Sequence, residues 1–134
     1  MLIGKEFGFE ASHQLPRHDG KCKDLHGHSW KLKVGVIGPV NEKTGFVMDY
    51  AELKRRVDPL ITRLDHSHLG TMDGISKARV STPEGFYPTS ENLIVWIGFQ
   101  LYLQLDWYIL ELKETCTSSC ILMREEYEKI TWNR

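Results

Sequence analysis

Two stretches of this chain alternate in hydropathy with a period of two, and both end in histidine. In the first, Ile3, Lys5, Phe7, Phe9, Ala11 and His13 share one parity. In the second, His26, His28, Trp30, Leu32, Val34 and Val36 share one parity, while Ser29, Lys31 and Lys33 take the other. Successive side chains on a strand point to opposite faces, so each run predicts a strand with one buried face. Two such strands lying side by side, apolar faces inward, bring His13 beside His26 and His28. One histidine on an apolar face is ordinarily a core residue bonded to a backbone carbonyl. Three on a shared face, two of them in His-Gly-His, point instead to a metal ion. Gly27, between the two histidines, leaves room for a close approach of backbone or ligand.

Neutral imidazole is a common zinc ligand. Three protein ligands with an open fourth position mark a catalytic rather than a structural site. Cys22 lies four residues before His26, close enough to stand near the metal without binding it.

The rest of the chain supplies helices and a closing sheet. Phe46 to Met48 reads as a short extended piece, after which Asp49 caps a helix with Glu52 completing a capping box. Leu53, Val57, Leu60, Ile61 and Leu64 form its apolar stripe, and Pro59 predicts a kink or a restart at Asp58. Residues 67 to 87 read as a long loop. A second helix begins at Thr89 or Ser90 and carries Leu93, Trp96, Ile97, Leu101 and Leu105. Two strands close the chain, Trp107 to Cys116 and Cys120 to Ile130. The order β-β-α-α-β-β is that of an α+β fold, a four-stranded antiparallel sheet with two helices on one face.

With 134 residues, one domain spanning 1–134 is expected. A net charge of −1 gives no basic surplus for a nucleic-acid partner. No apolar run approaches the length of a membrane span, and no secretion signal accompanies the three cysteines, so a reducing cytoplasm is the expected setting.

Three further groups carry polar chemistry. Asp65-His66 ends the first helix; neighbours in sequence rarely bond to each other, so Asp65 is expected to orient some other group, or both residues simply end the helix. Thr89, Ser90 and Glu91 open the second helix, where backbone donors can hold a polar ligand. Glu114 shares a face with Tyr108, Leu110, Leu112 and Cys116, so its carboxylate needs a cation or a ligand's donors. His18 and His68 read as surface residues.

In this order, F-E-A-S-H, C-K-D-L-H-G-H, T-G-F-V-M-D-Y-A-E-L-K, R-L-D-H, P-T-S-E-N and K-E-T-C-T-S-S-C make the chain resemble the 6-pyruvoyl-tetrahydropterin synthase family along nearly its whole length. The three residues between Cys22 and His26 are similar to the spacing of the family's carboxy-forming, queuosine-pathway branch. Gly70, where the family commonly has Asn, and the long 71–87 loop depart from the pattern.

The resemblance implies a tunnelling fold, homo-oligomers that are commonly hexamers, and active sites between subunits. It implies a zinc-dependent lyase acting on 7,8-dihydroneopterin triphosphate, leaving 6-carboxy-5,6,7,8-tetrahydropterin and releasing acetaldehyde and triphosphate. In this chain His13, His26 and His28 would hold zinc, and Cys22 would accept the proton. His66 with Asp65 would form a second proton-transfer arm coupled to Glu114, and Glu114 would anchor the pterin edge beside Thr89, Ser90 and Glu91. By charge and position, Arg17, Lys21 and Lys23 are candidates for the triphosphate. Two alternatives are a synthase that keeps the side chain as 6-pyruvoyl, and a non-catalytic pterin-binding module.

Overall fold

In the computed structural model, residues 1–70 and 87–132 are described. Strand β1 (Leu2–His13) pairs antiparallel with β2 (His26–Ile37), and Phe7 faces Leu32, Phe9 faces Trp30 and His13 faces His26. Helix α1 (Tyr50–Leu64) leads to β3 (Ser67–His68), and α2 (Ser90–Leu101) leads to β4 (Ile109–Thr115) and β5 (Ser118–Met123). Helix α3 (Arg124–Trp132) ends the described chain. The sheet order is β3-β1-β2-β4-β5. The predicted α+β class holds, with one strand and one helix more than the sequence suggested.

The extra strand is short. Ser67 and His68 run parallel to β1 opposite Ala11 and Ser12, so the sheet is antiparallel except at this edge. His68 is half-buried there, with Nδ1 3.0 Å from Ser12 Oγ, and is not the free surface residue expected. His18 is exposed as expected, and its Nδ1 accepts from the Gly20 amide.

The extra helix replaces the far half of the predicted last strand. Period two gives way to a helical period at Arg124. Glu125 and Glu126 stand in the first turn, where the helix dipole favours acids, and Lys129 bonds Glu125 one turn on. Tyr127 is buried with its ring centroid 5.5 Å from that of Trp107. Trp107 itself precedes β4 and donates from Nε1 to the Gly98 carbonyl. A Cβ on Gly98 would stand 3.0 Å from Trp107 and 3.2 Å from Tyr127, so α2 approaches that pair closely because it has no side chain there.

Pro59 lies inside an unbroken α1, with no restart at Asp58. It sits on the exposed face, where water can satisfy the carbonyl its ring leaves unbonded. Asp49 caps α1 by accepting from the Ala51 amide, but Glu52 turns to Arg55 and Arg56, so only half of the capping box forms. Residues 46–48 form no strand. The predicted loop beyond Gly70 falls on 71–86, outside the described residues.

One face of the sheet carries the core. Phe9, Trp30, Leu32, Val34, Leu110 and Leu112 line it, and Leu53, Val57, Leu93, Trp96 and Ile97 cover it from α1 and α2. Burying a side chain of this size contributes about 1.5–3 kcal/mol. The three histidines continue the same face beyond Phe9 and Trp30.

Candidate metal site

His13 ends β1 and His26 and His28 open β2, so the register sets His13 directly opposite His26. Their ring nitrogens, one from each histidine, all lie within 4.8 Å of one another. His13 is fully buried, and the other two are half-buried.

Backbone carbonyls fix the tautomers. His13 Nδ1 donates to the Pro88 carbonyl at 2.7 Å, and His26 Nδ1 donates to the Asp24 carbonyl at 2.7 Å. A carbonyl oxygen only accepts, so in each neutral ring the hydrogen is on Nδ1 and the lone pair is on Nε2. The two Nε2 atoms face each other at 2.9 Å. Glu114 adds its Oε1 at 3.2 Å from His13 Nε2 and 3.6 Å from His28 Nε2. His28 Nε2 is buried and has no hydrogen-bond partner among the described residues.

Several electron pairs thus converge on one small space. A proton on one ring would relieve part of the repulsion, but burial first of all depresses His13, outweighing the Pro88 bond and the Glu114 charge that favour its cation. Desolvation also depresses His28. A divalent cation fits this donor set: Nε2 lone pairs presented inward, with the opposite ring nitrogens of His13 and His26 held by outer partners that orient them.

Trp30 forms the floor. Its ring meets those of His13 and His28 edge-on, with centroids 5.3 and 5.5 Å away, and its Nε1 is satisfied by the Ala11 carbonyl. Gly27 is exposed, and a Cβ there would meet only the Ala11 carbonyl at 3.7 Å, so space within the chain does not demand glycine.

Glu114 points to the buried face of β4, as its parity predicts, but Cys116 does not follow. A bulge between Lys113 and Thr115 breaks the alternation, and Cys116 is exposed. Cys120, opposite Leu112 on β5, is half-buried and donates to the Ser90 carbonyl at 3.5 Å. Burial, with a smaller contribution from Glu91, pushes its thiol up to about 11. Pro88 against His13 and Cys120 against Ser90 seat the start of α2 beside the cluster. There Thr89 Oγ1 caps the helix by accepting from the Asn92 amide. Thr89 and Ser90 are half-buried, and Glu91 is exposed.

Cys22 is half-buried in a single 3-10 turn, Lys21–Lys23, and its carbonyl accepts from the Leu15 amide. Lys21 and Lys23 are exposed. Arg17 lies over the Tyr87 ring, 4.2 Å from its centroid.

Asp65 and His66 do bond to each other, against expectation. His66 adopts a positive φ of 57°, which turns its Nδ1 back to Asp65 Oδ2 at 2.9 Å. Asp65 Oδ1 accepts from the Glu10 amide, and this bond, followed by His66, holds its carboxyl below the usual range. The His66 side chain is 81% exposed, and no hydrogen bond or ion pair joins it to the imidazole cluster among the described residues. Sequence reasoning missed the Pro88 and Asp24 carbonyls and the Cys120 donor. Backbone carbonyls leave no trace in residue type.

A sheet that gathers three imidazoles and a carboxylate beside a helix start defines an α+β protein with the donor set for a metal ion. The family model described as 6-pyruvoyl tetrahydropterin synthase matches residues 2–125, and the chain belongs to that family. A relative from Synechocystis sp., "6-carboxy-5,6,7,8-tetrahydropterin synthase", is 40% identical over 125 residues, 88% of this chain and 89% of its own. The "6-pyruvoyl tetrahydrobiopterin synthase" of Drosophila melanogaster is 37% identical over 64% of this chain and 49% of its own. The solved 6-pyruvoyl tetrahydropterin synthase of Caenorhabditis elegans superposes with a TM-score of 0.76 at 25% identity, covering 92% of this chain and 94% of its own. The fold is therefore the tunnelling fold of these pterin synthases. No helix among the described residues is long and apolar enough to cross a membrane.

Proposed function

We propose that this protein is a zinc-dependent lyase that converts 7,8-dihydroneopterin triphosphate to 6-carboxy-5,6,7,8-tetrahydropterin, releasing acetaldehyde and triphosphate. The observation that carries this reading is the convergence of one ring nitrogen from each of His13, His26 and His28, with Nδ1 of His13 and His26 committed to carbonyls. The Synechocystis relative, matched along most of both chains, supports the carboxy-forming branch.

The zinc held by the three imidazoles supplies a Lewis acid that polarises oxygens of the substrate side chain. Cys22, in the Lys21–Lys23 turn, accepts a proton from that side chain. Asp65 holds His66 in one tautomer, with its Nε2 left to exchange a second proton. Glu114 receives the ring NH and amine of the pterin, and Thr89, Ser90 and Glu91 border the ring at the start of α2. Arg17, Lys21 and Lys23 meet the triphosphate. The exposure of the His66 ring supports a site completed by another copy of the chain in a homohexamer. The reaction belongs to queuosine and 7-deazaguanine biosynthesis in the cytoplasm, carried by one domain.

Zinc-loaded protein incubated with 7,8-dihydroneopterin triphosphate tests the reading by product mass. A carboxypterin together with acetaldehyde is expected. A pyruvoyl product that keeps the side-chain carbons would move the protein to the branch of the Drosophila relative, and no turnover would leave a pterin-binding module. Cys22→Ala should lower turnover by about 10²–10⁴-fold while leaving zinc content unchanged.

A further inference from the structure

We propose that Tyr87 is a positioning residue for Cys22: its side chain latches the loop that carries the thiol, residues 14–25 between β1 and β2, to the start of α2. The inference deepens the function proposed above and rests on it for what Cys22 does. The latch itself rests on geometry and can be read without turnover.

The loop first folds on itself. The His18 amide donates to the Leu15 carbonyl at 2.9 Å, closing a turn with Pro16 and Arg17 at its centre. Pro16 fixes the backbone there, and Leu15 is buried. The Leu15 amide donates to the Cys22 carbonyl at 2.9 Å, so the turn is tied to the residue that bears the thiol. A turn of this kind uses the amide of its fourth residue and leaves the amide of its third to find a partner elsewhere.

That amide belongs to Arg17, and it donates to the Tyr87 hydroxyl oxygen at 3.0 Å. The Arg17 guanidinium lies over the same ring, 4.2 Å from its centroid, a cation facing the electron-rich side of an aromatic. Main chain and side chain of Arg17 therefore both meet one half-buried tyrosine.

Tyr87 is itself held from the other side. Its carbonyl accepts from the Thr89 amide at 2.9 Å and from Asn92 Nδ2 at 2.8 Å, at the cap and first turn of α2. Pro88, the next residue, is buried, and its carbonyl accepts from His13 Nδ1 at 2.7 Å. One dipeptide thus divides two tasks. The Pro88 main chain aims an imidazole of the cluster, and the Tyr87 side chain holds the loop of the thiol. Removal of the Tyr87 side chain releases the loop and leaves the imidazole aimed.

Iodoacetamide labelling of the zinc-loaded protein, followed peptide by peptide by mass, tests the latch, with half-buried Cys120 as the internal reference. In Tyr87→Ala, Cys22 should label about 10-fold faster than in wild type, the effect of losing one hydrogen bond and one ring contact. Cys120 should label at the wild-type rate, and zinc content should be unchanged. Tyr87→Phe keeps the ring beneath the guanidinium and loses only the acceptor oxygen, so its Cys22 rate should fall between the two. Turnover should follow the same order, with kcat reduced by up to about 10²-fold in Tyr87→Ala, as for a misplaced reacting group, and partly restored in Tyr87→Phe. If Tyr87→Ala does not fold, the Tyr87→Phe rate decides alone. Wild-type labelling of Cys22 in the variants would overturn the latch. So would Cys22 and Cys120 rising together, which marks general loosening. Loss of zinc from Tyr87→Ala would overturn the division of tasks with Pro88. Faster Cys22 labelling with wild-type kcat would overturn the positioning role. A released Cys22 in a protein whose wild type turns over no dihydroneopterin triphosphate would sink the proposed reaction and leave the latch standing.

Discussion

The inner face of β1 and β2 is one continuous surface with two unlike ends. At the apolar end, Phe9 stacks on Trp30 with ring planes 3° apart, and Leu32 and Val34 are fully buried. No buried side-chain polar atom there lacks a partner among the described residues, and packing over the paired strands holds it. At the other end the same alternation delivers His13, His26 and His28, and the strands that pack so well below force lone pairs together above. The first end stabilises the fold. The second is held in place by that stability, with its cost met by the packing beneath it. Sites built for function are where local consistency is given up.

Substitutions at each end should therefore act in opposite directions. The largest effect is expected from Trp30→Ala, which opens the core beneath the cluster. It should lower unfolding free energy by about 3–5 kcal/mol in denaturant titrations and weaken metal binding as well, because the floor under two imidazoles is gone. Gly98→Val probes the far side of the core. A side chain pressed against Trp107 and Tyr127 should cost about 1–3 kcal/mol with zinc affinity unchanged.

His28→Leu tests the imidazole end. Removing a buried nitrogen that has no partner should leave the metal-free protein about 1 kcal/mol more stable, while zinc no longer raises the melting temperature. A loss of metal-free stability in this variant would remove the contrast between the two ends.

The smallest effect is expected at Asp65. Its carboxyl is held below its ordinary 3.8, so its stabilising contribution is present above that value and fades as pH falls through the lower folded value. Asp65→Asn should remove that small contribution at neutral pH and flatten the acid limb of the stability profile, so that variant and wild type converge as pH falls through that window. Separately, exposed Cys116 should be alkylated before Cys120 at about pH 8, since burial disfavours the Cys120 thiolate.

How much of this was legible follows from the same contrast. The alternation in β1 and β2 names the buried face residue by residue, including the histidines, because a period of two needs no tertiary information. The stripe of α1 and the cap at Thr89 were equally readable. Strand β3 was not, because two residues show no period and pair only when Leu69 and His66 bond back to β1. Helix α3 was missed because Cys120, Leu122 and Arg124 continue a strand's alternation in the sequence. Its helical partners, Trp107 and Gly98, are distant in sequence. In the site, the clustering of the three histidines was readable from their shared parity. The Pro88 and Asp24 carbonyls that aim them were not, and Asp65–His66 depended on a backbone angle that no residue type fixes.

Trp30 gives the protein an optical reporter of its own. An indole with ring centroids 5.3 and 5.5 Å from those of His13 and His28 would lie within quenching range of an open-shell ion bound at the cluster. Copper or cobalt entering the site should darken its emission, and zinc, with a filled d shell, should not. Occupancy can then be followed in the unlabelled protein by fluorescence, one ion at a time.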